Sequence, residues 1–159
     1  PDFNWGLNVQ LSYKNFDLSM FFQGVCGVDV YNNQKFQTDF WSLTDSGSNK
    51  GNRLLGAWTQ DNTSSTIPAL TTNNTGDEGR RSSYFVEHGS WMKLRTLQIG
   101  YNFEQSLLKK LHMTSARVYV SGQNIFTLKS NSFTISDPEN PNWAYPHSSS
   151  VSLGLQLSF

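Results

Sequence analysis

The sequence predicts an all-β chain, a segment of an antiparallel transmembrane β-barrel made of about five strands, and three observations carry that prediction. Apolar residues recur at every second position in five separate stretches, the signature of strands with two unlike faces. The connections between those stretches alternate between short and very long, running two, about 60, about ten and about 20 residues; barrels of the outer-membrane type pair short turns at one rim with long loops at the other. Aromatic residues gather at the strand ends, where ring side chains prefer the boundary between hydrocarbon and head groups.

The first strand is read from "WGLNVQLSY", with Trp5, Leu7, Val9, Leu11 and Tyr13 on one face and Gly, Asn, Gln and Ser on the other. Lys14 and Asn15 leave room for a two-residue hairpin, with Asn expected to take the positive φ that such turns need. The second strand places Phe16, Leu18, Met20, Phe22, Cys26, Val28 and Val30 on one face, so it is expected to run about 15 residues, longer than a typical strand. Residues 31–89 show no sustained period and are crowded with Asn, Thr, Ser, Gly and Asp, which predicts one long loop. The third strand covers roughly 91–103, with Leu97, Ile99, Tyr101 and Phe103 outward. Met92 and Leu94 fall in the opposite phase, which predicts a bulge near Arg95.

"QSLLKKLHM" carries Leu107, Leu108 and Leu111 at helical spacing and predicts a short amphipathic turn. In the fourth strand, "ARVYVSGQNIFTL", Ala116, Val118, Val120 and Phe126 oppose Arg117, Ser121, Gln123 and Thr127, while Asn124 sits in the wrong phase. A second loop spans 129–147. The chain closes on "VSLGLQLSF", where Val151, Leu153, Leu155, Leu157 and Phe159 alternate with Ser, Gly, Gln and Ser. Placing the two-residue turn at the periplasmic rim puts Tyr13, Phe16, Phe103 and Phe159 at one level, and Trp5, Trp91 and Phe126 at the other. In that orientation 104–113 is periplasmic, while 31–89 and 129–147 are extracellular. A mean hydropathy of -0.48 is compatible with such a barrel, because only alternate residues meet lipid.

Composition narrows the function. The formal net charge is +0, so electrostatics implies no nucleic acid partner. Charged residues make up only 15% of the chain and aromatics 14%, so polarity is supplied by neutral groups. The single Cys26 excludes a disulfide framework and reads as a small apolar residue. No run approaches the ~18 apolar residues of a spanning helix. His88, His112 and His147 lack metal-ligand spacing, no complete phosphate-binding loop or Gly-x-Ser-x-Gly elbow occurs, and no Ser and His set is placed for nucleophilic catalysis. The expectation is a non-enzyme without a cofactor, calcium on Asp77, Glu78, Asp137 and Glu139 in the loops being the weak exception.

Several stretches carry a resemblance: "NVQLSYKNFDLSMFFQGVCGVDVYN", "SSYFVEHGSWMKLRTLQIGYNF", "LLKKLHMTSARVYVSGQNIFTL", "SDPENPNWAYP" and the terminal "VSLGLQLSF". Together they resemble the C-terminal end of SusC/RagA-type TonB-dependent outer-membrane transporters over essentially all of residues 1–159, with "VEHGSWMKLRTLQIGY" followed by "ARVYVSGQNIFT" the most specific pair. The resemblance implies a barrel of about 22 strands with an N-terminal plug. It also implies energisation through TonB, import of glycans or peptides, a SusD-like surface lipoprotein as lid, and a Gram-negative outer membrane as the location. Starting at Pro1 without an initiator Met, the chain is expected to be processed or part of something longer, its plug and remaining strands lying elsewhere.

Two sets of residues follow as candidates. Trp41, Trp58, Arg80, Arg81 and Tyr84 in the long loop are candidates for ligand contact at the barrel mouth, weighed against plain packing of the loop on itself. Inward-facing Arg95, Arg117 and Gln123 are expected to meet lumenal solvent. Val151, Leu153, Leu155, Leu157 and Phe159 resemble the C-terminal signal read by the outer-membrane assembly machinery. Since the smallest single-chain barrels use about eight strands, this last strand is expected to pair with a strand outside residues 1–159. A secreted all-β carbohydrate-binding module of the sandwich or jelly-roll class is the alternative.

Overall fold

Alternation of side chains commits five segments to one sheet, and the computed structural model, which describes residues 1–40, 49–70, 80–110, 112–140 and 145–159, shows how they pair. Strand β1 (Phe3–Tyr13) turns through Lys14 and Asn15 into β2 (Phe16–Cys26), with Tyr13 opposite Phe16. The positive φ of this turn falls on Lys14, at 52°, and not on Asn15 as the sequence suggested. The first central position of a two-residue hairpin is where the primed turns need it. Asn15 contributes its carbonyl instead, accepting from the Asn102 N–H at 2.8 Å.

Strand β2 ends at Cys26, short of the expected Val30, because Gly27 takes a φ of 63° and breaks the ladder. Its N–H donates to Ser90 Oγ at 3.1 Å, and a Cβ at this position would collide with the Asp2 carboxylate. The chain then makes β3 (Asp29–Tyr31) and the helix α1 (Asn33–Asp39), and later β4 (Val86–His88), which pairs antiparallel with β3. The expected featureless loop over 31–89 thus carries regular structure among its described residues. Beyond it lie β5 (Trp91–Asn102), the short helix α2 (Gln105–Lys110), β6 (Ser115–Lys129) and β7 (Ser150–Ser158). In α2 it is Leu108 that is buried, while Leu107 stays exposed. No described helix is long and apolar enough to cross a membrane.

The main sheet has the order β1-β2-β5-β6-β7, all antiparallel, so β1 and β7 are its opposite edges and do not pair with each other. The sheet is open; these residues do not close a barrel. Its register carries rows of like residues across the strands. Leu11, Leu18, Ile99, Val120 and Leu153 form one apolar row, while Gln10, Ser19, Gln98, Ser121 and Ser152 form a polar row on the other face. The predicted bulge lies at Arg95: Phe21 opposes Thr96 and Phe22 opposes Leu94, so Arg95 is the extra residue. That insertion returns Met92 and Leu94 to the apolar face despite their opposite phase. Asn124, the residue out of phase in β6, adopts a φ of 49°; its side chain reaches Arg95 on the polar face while Ile125 covers Gly122.

This sheet is inverted relative to a soluble one. The apolar face is open, with Leu153 at 77% and Leu155 at 63% of full exposure, whereas Lys93 on the polar face is 2% exposed. A soluble sandwich buries its apolar face, because leaving it in water costs roughly 25 cal/mol for each Å². Aromatic rings collect at the hairpin end of this face: Phe16 and Tyr101 lie 4.9 Å apart and Tyr101 and Phe103 5.4 Å apart. At the opposite end the Trp5 ring lies against Gly24. Trp91, assigned to the same level by sequence, turns instead to the polar face, where Lys93 and Arg95 approach its ring.

Residues 29–88 and 132–145 form a second compact unit, distinct from the sheet. Its core is Phe40, Leu54 and Phe85, with Tyr31, Phe36, Ile67 and Tyr84 packed around them. Helix α1 starts properly because Asn32 caps it, its side-chain oxygen accepting from the Lys35 N–H at 2.8 Å. Phe36 and Phe40 then fall one turn apart, and both meet Phe85.

Candidate functional site

Two surfaces are built to meet something polar: the polar face of the sheet, and the unit made from the two long loops. On the sheet, Asp17 of β2 and Arg117 of β6 reach across β5 over Gly100, forming bonds of 3.1 Å from Nε and 2.5 Å from Nη2. The bridge depends on Gly100, since a Cβ there would meet both partners at about bonding range. Asn102 Nδ2 donates to Asp17 at 3.0 Å, the Arg117 guanidinium stacks 5.1 Å from the Tyr119 ring, and the Gln98 amide, oriented to suit, accepts from Arg117 at 2.9 Å. Arg117, expected only to be solvated, is therefore held in a network. Arg95 is similar, with Nε donating to Gln23 at 2.9 Å. Gln123 lies between Thr96 and Ser150 in register.

In the loop unit the functional candidates separate. Trp41 lies outside the described residues, as do Asp77 and Glu78. Trp58 is exposed, with its N–H donating to the Ile67 carbonyl at 2.9 Å. Arg80 and Arg81 are exposed, the Arg81 guanidinium 5.9 Å from the Tyr31 ring. Tyr84 is half-buried: its ring packs against Phe40 and Phe85, the Lys35 ammonium lies 3.8 Å from its ring, and its hydroxyl donates to Asp39 at 2.9 Å. Arg81 and Tyr84 therefore both reach the Phe85 cluster, while Trp58 does not join them in any described ring contact.

Sequence reasoning missed the residue at the centre of this unit, Asp39, which is fully buried. Its carboxylate also accepts from Arg53 Nε at 2.9 Å and Thr38 Oγ1 at 3.2 Å, so its charge is both paired and hydrogen-bonded. The Tyr84 hydroxyl is pushed well above the ordinary tyrosine range by burial and by the carboxylate that accepts its proton. Burial moves the Lys35 ammonium in the downward direction. A second network ties the two loops: Asn32 Nδ2 donates to Thr134 Oγ1 at 2.9 Å, and Thr134 donates through N and Oγ1 to Glu87, both at 2.8 Å. The only hint in the sequence was Asn32 followed by Phe36 and Phe40, a cap and a helical apolar spacing. Asp137 is also buried, its carboxylate accepting from the Glu139 N–H at 3.1 Å.

This sheet, with an exposed apolar face and a polar opposite face, belongs to a chain that is similar to known proteins. No protein-family model matches the chain. It is 32% identical over 178 aligned residues to TonB-dependent receptor P3 of Formosa agariphila, covering 100% of this chain and 16% of that receptor. It is 30% identical over 162 residues to TonB-dependent receptor SusC of Bacteroides thetaiotaomicron, covering 97% of this chain and 15% of SusC. Among solved structures, a chain of the RagAB peptide transporter superposes with a TM-score of 0.76 at 28% identity, over 97% of this chain and 17% of that one. The chain thus spans about one-sixth of the length of these relatives. Sequence and backbone are similar to these proteins over nearly the whole chain: it belongs to the SusC/RagA-type TonB-dependent receptors.

Proposed function

We propose that this chain forms part of the wall and of the extracellular loops of an active importer in a Gram-negative outer membrane. The observation that carries the reading is the inverted sheet, whose apolar face suits hydrocarbon and whose polar face suits a lumen. The likeness to the TonB-dependent receptor SusC supports import, the likeness to the RagAB peptide transporter supports peptides as the solute, and glycans are the other class in this reading. In this reading a plug and the remaining strands complete the barrel, TonB supplies the energy, and a SusD-like lipoprotein works at the extracellular side. No step of covalent chemistry is assigned to these residues.

The loops at 29–88 and 132–145 are the extracellular part, with Trp58, Arg80 and Arg81 exposed for a solute and Trp41 and Tyr84 as further candidates. An aromatic face suits sugar rings and peptide side chains alike. Val151, Leu153, Leu155, Leu157 and Phe159 serve assembly of the barrel.

The test is uptake. Cells lacking the full-length transporter should stop depleting one class of solute, oligosaccharides or peptides, from a mixed medium, and recover on complementation. Unchanged depletion of both classes by the deletion strain would remove the importer reading. Solubility of the full-length protein without detergent would remove the membrane reading itself.

A further inference from the structure

Between β5 and β6 the apolar face is not level. Val118 and Val120 are short and β-branched, whereas Tyr101 and Phe16 carry rings that stand higher above the sheet, and register sets Tyr101 opposite Val118 and Ile99 opposite Val120. The difference in side-chain height leaves a groove of about 180 Å³ lined by Phe16, Ile99, Tyr101, Val118 and Val120, with Gly100 adding no side chain. The groove lies at the hairpin end of the sheet, beside the Phe16–Tyr101 ring pair.

That same end carries a basic collar. Lys14 sits in the β1–β2 turn, its ammonium 5.4 Å from the Tyr13 ring, and Lys109 and Lys110 form the last turn of α2 on the neighbouring connection. All three are exposed, against the single carboxylate of Glu104 in that connection. An apolar slot at the same end of the sheet as three cations matches a molecule that has an acyl chain and an anionic phosphate. We propose that the groove holds one acyl chain of a phospholipid from the periplasmic leaflet, with its phosphate drawn to Lys14, Lys109 and Lys110. The ring level and the positive charge coincide at this rim, where aromatic and basic residues meet head groups. The proposal rests on the reading that the apolar face meets lipid.

The experiment uses the full-length transporter in nanodiscs of phosphatidylethanolamine and phosphatidylglycerol, with native mass spectrometry of the released protein. Recovery of the transporter in the nanodisc fraction checks the membrane reading independently of the groove. The wild type should retain one phospholipid, and Val118→Trp, which fills the groove, should lower the retained fraction about tenfold, the equivalent of roughly two buried methylenes. Replacing Lys14, Lys109 and Lys110 together by Gln should leave a bound lipid but abolish any preference for phosphatidylglycerol. Equal retention by wild type and Val118→Trp would overturn the proposal. Should Val118→Trp fail to assemble, the wild-type transporter decides by electron cryo-microscopy in the same nanodiscs. An ordered acyl chain between Tyr101 and Val118 supports the site, and only featureless annular lipid there overturns it.

Discussion

The sheet and the loop unit are made from one chain, yet they hold together by opposite rules. In the sheet, residues 1–28, 89–131 and 146–159, large apolar side chains stand exposed in rows and the ion pair Asp17–Arg117 lies on the polar face. In the loop unit, Phe40, Leu54 and Phe85 are buried together and the buried charge of Asp39 is paired with Arg53. The difference teaches which solvent each part was selected against. The loop unit pays the ordinary costs of folding in water and meets them with a core. The sheet gains nothing from hiding its apolar rows, so its order comes from the backbone ladder, which must satisfy every N–H and C=O internally once water is absent.

That contrast can be broken by substitution, and the largest effect is expected in the loop unit. Phe85 is completely buried and touches Tyr31, Phe36, Phe40 and Tyr84. Phe85→Ala should cost on the order of 3–5 kcal/mol, the range for deleting a core aromatic. Limited proteolysis of the full-length transporter should then cut within 29–88 while the strands stay protected. Cleavage that spreads into the strands would show that the two parts do not hold themselves together separately.

Next in size is the apolar face. Ile99 sits in β5 two residues before Tyr101, exposed, between Leu18 and Val120. Ile99→Arg should cost about 2–4 kcal/mol if it lies at the bilayer midplane, and an unfolding measurement in lipid reads it directly. A cost near zero would place Ile99 against water or at the head-group level, and the same substitution at Leu97, deeper in the strand on the same face, decides between these: a near-zero cost there too would reverse the assignment of the two faces. The paired control is Gln98→Leu on the polar face, whose neighbours in register are Ser19 and Ser121.

Smaller again is the loss of the buried carboxylate. Asp39→Ala removes hydrogen bonds to Arg53, Tyr84 and Thr38, and since Arg53 is partly exposed it can be rehydrated, so about 1.5–3 kcal/mol is expected. The same site sets an alkaline limit. Tyr84 in the folded unit ionises only well above its ordinary value of 10.0, so once the unfolded chain ionises and the folded one does not, stability falls as pH rises. The contribution is fully present below pH 10 and is lost from there toward the raised value. Tyr84→Phe should weaken this alkaline decline, the part that remains coming from Tyr31, which burial also raises, and hydrogen exchange in the loop unit across that range would detect the change.

How much of this was legible beforehand follows from the same contrast. Period-2 alternation is a local signal, so the strands of the sheet, the short turn and the bulge at Arg95 could all be read from neighbours in sequence. The break at Gly27 could not, since its cause is a distant Ser90 and the Asp2 side chain. The face of Trp91 could not be read either, because the bulge that resets the phase follows it within the same strand. The loop unit was almost silent: Phe40, Leu54 and Phe85 are scattered through polar sequence, and Thr134, which ties the loops, lies 102 residues from Asn32. Of the candidate ligand residues, Tyr84 was expected by its type alone, with nothing to show that its hydroxyl would serve Asp39.

The smallest effect on stability, and the sharpest on assembly, is expected at the edge of the sheet. Strand β7 pairs with β6 alone, and among the described residues its other edge has no partner. Val151, Leu153, Leu155 and Leu157 all lie on the apolar face, and Phe159 is 81% exposed, so within this chain Phe159 buries little that a substitution could remove. An unpaired strand edge in hydrocarbon leaves each backbone group unsatisfied, so this edge must find a strand outside residues 1–159. A role for Phe159 in guiding that pairing therefore predicts a separation of two measurements. Phe159→Ala should leave the unfolding free energy of the finished barrel within about 0.5 kcal/mol, as for other exposed positions. It should nonetheless lower the amount of full-length transporter recovered from the outer membrane, with synthesis unchanged. Normal recovery would remove the assembly role, whereas a large loss of stability in the finished barrel would mean that Phe159 is a packing residue against the neighbouring strand.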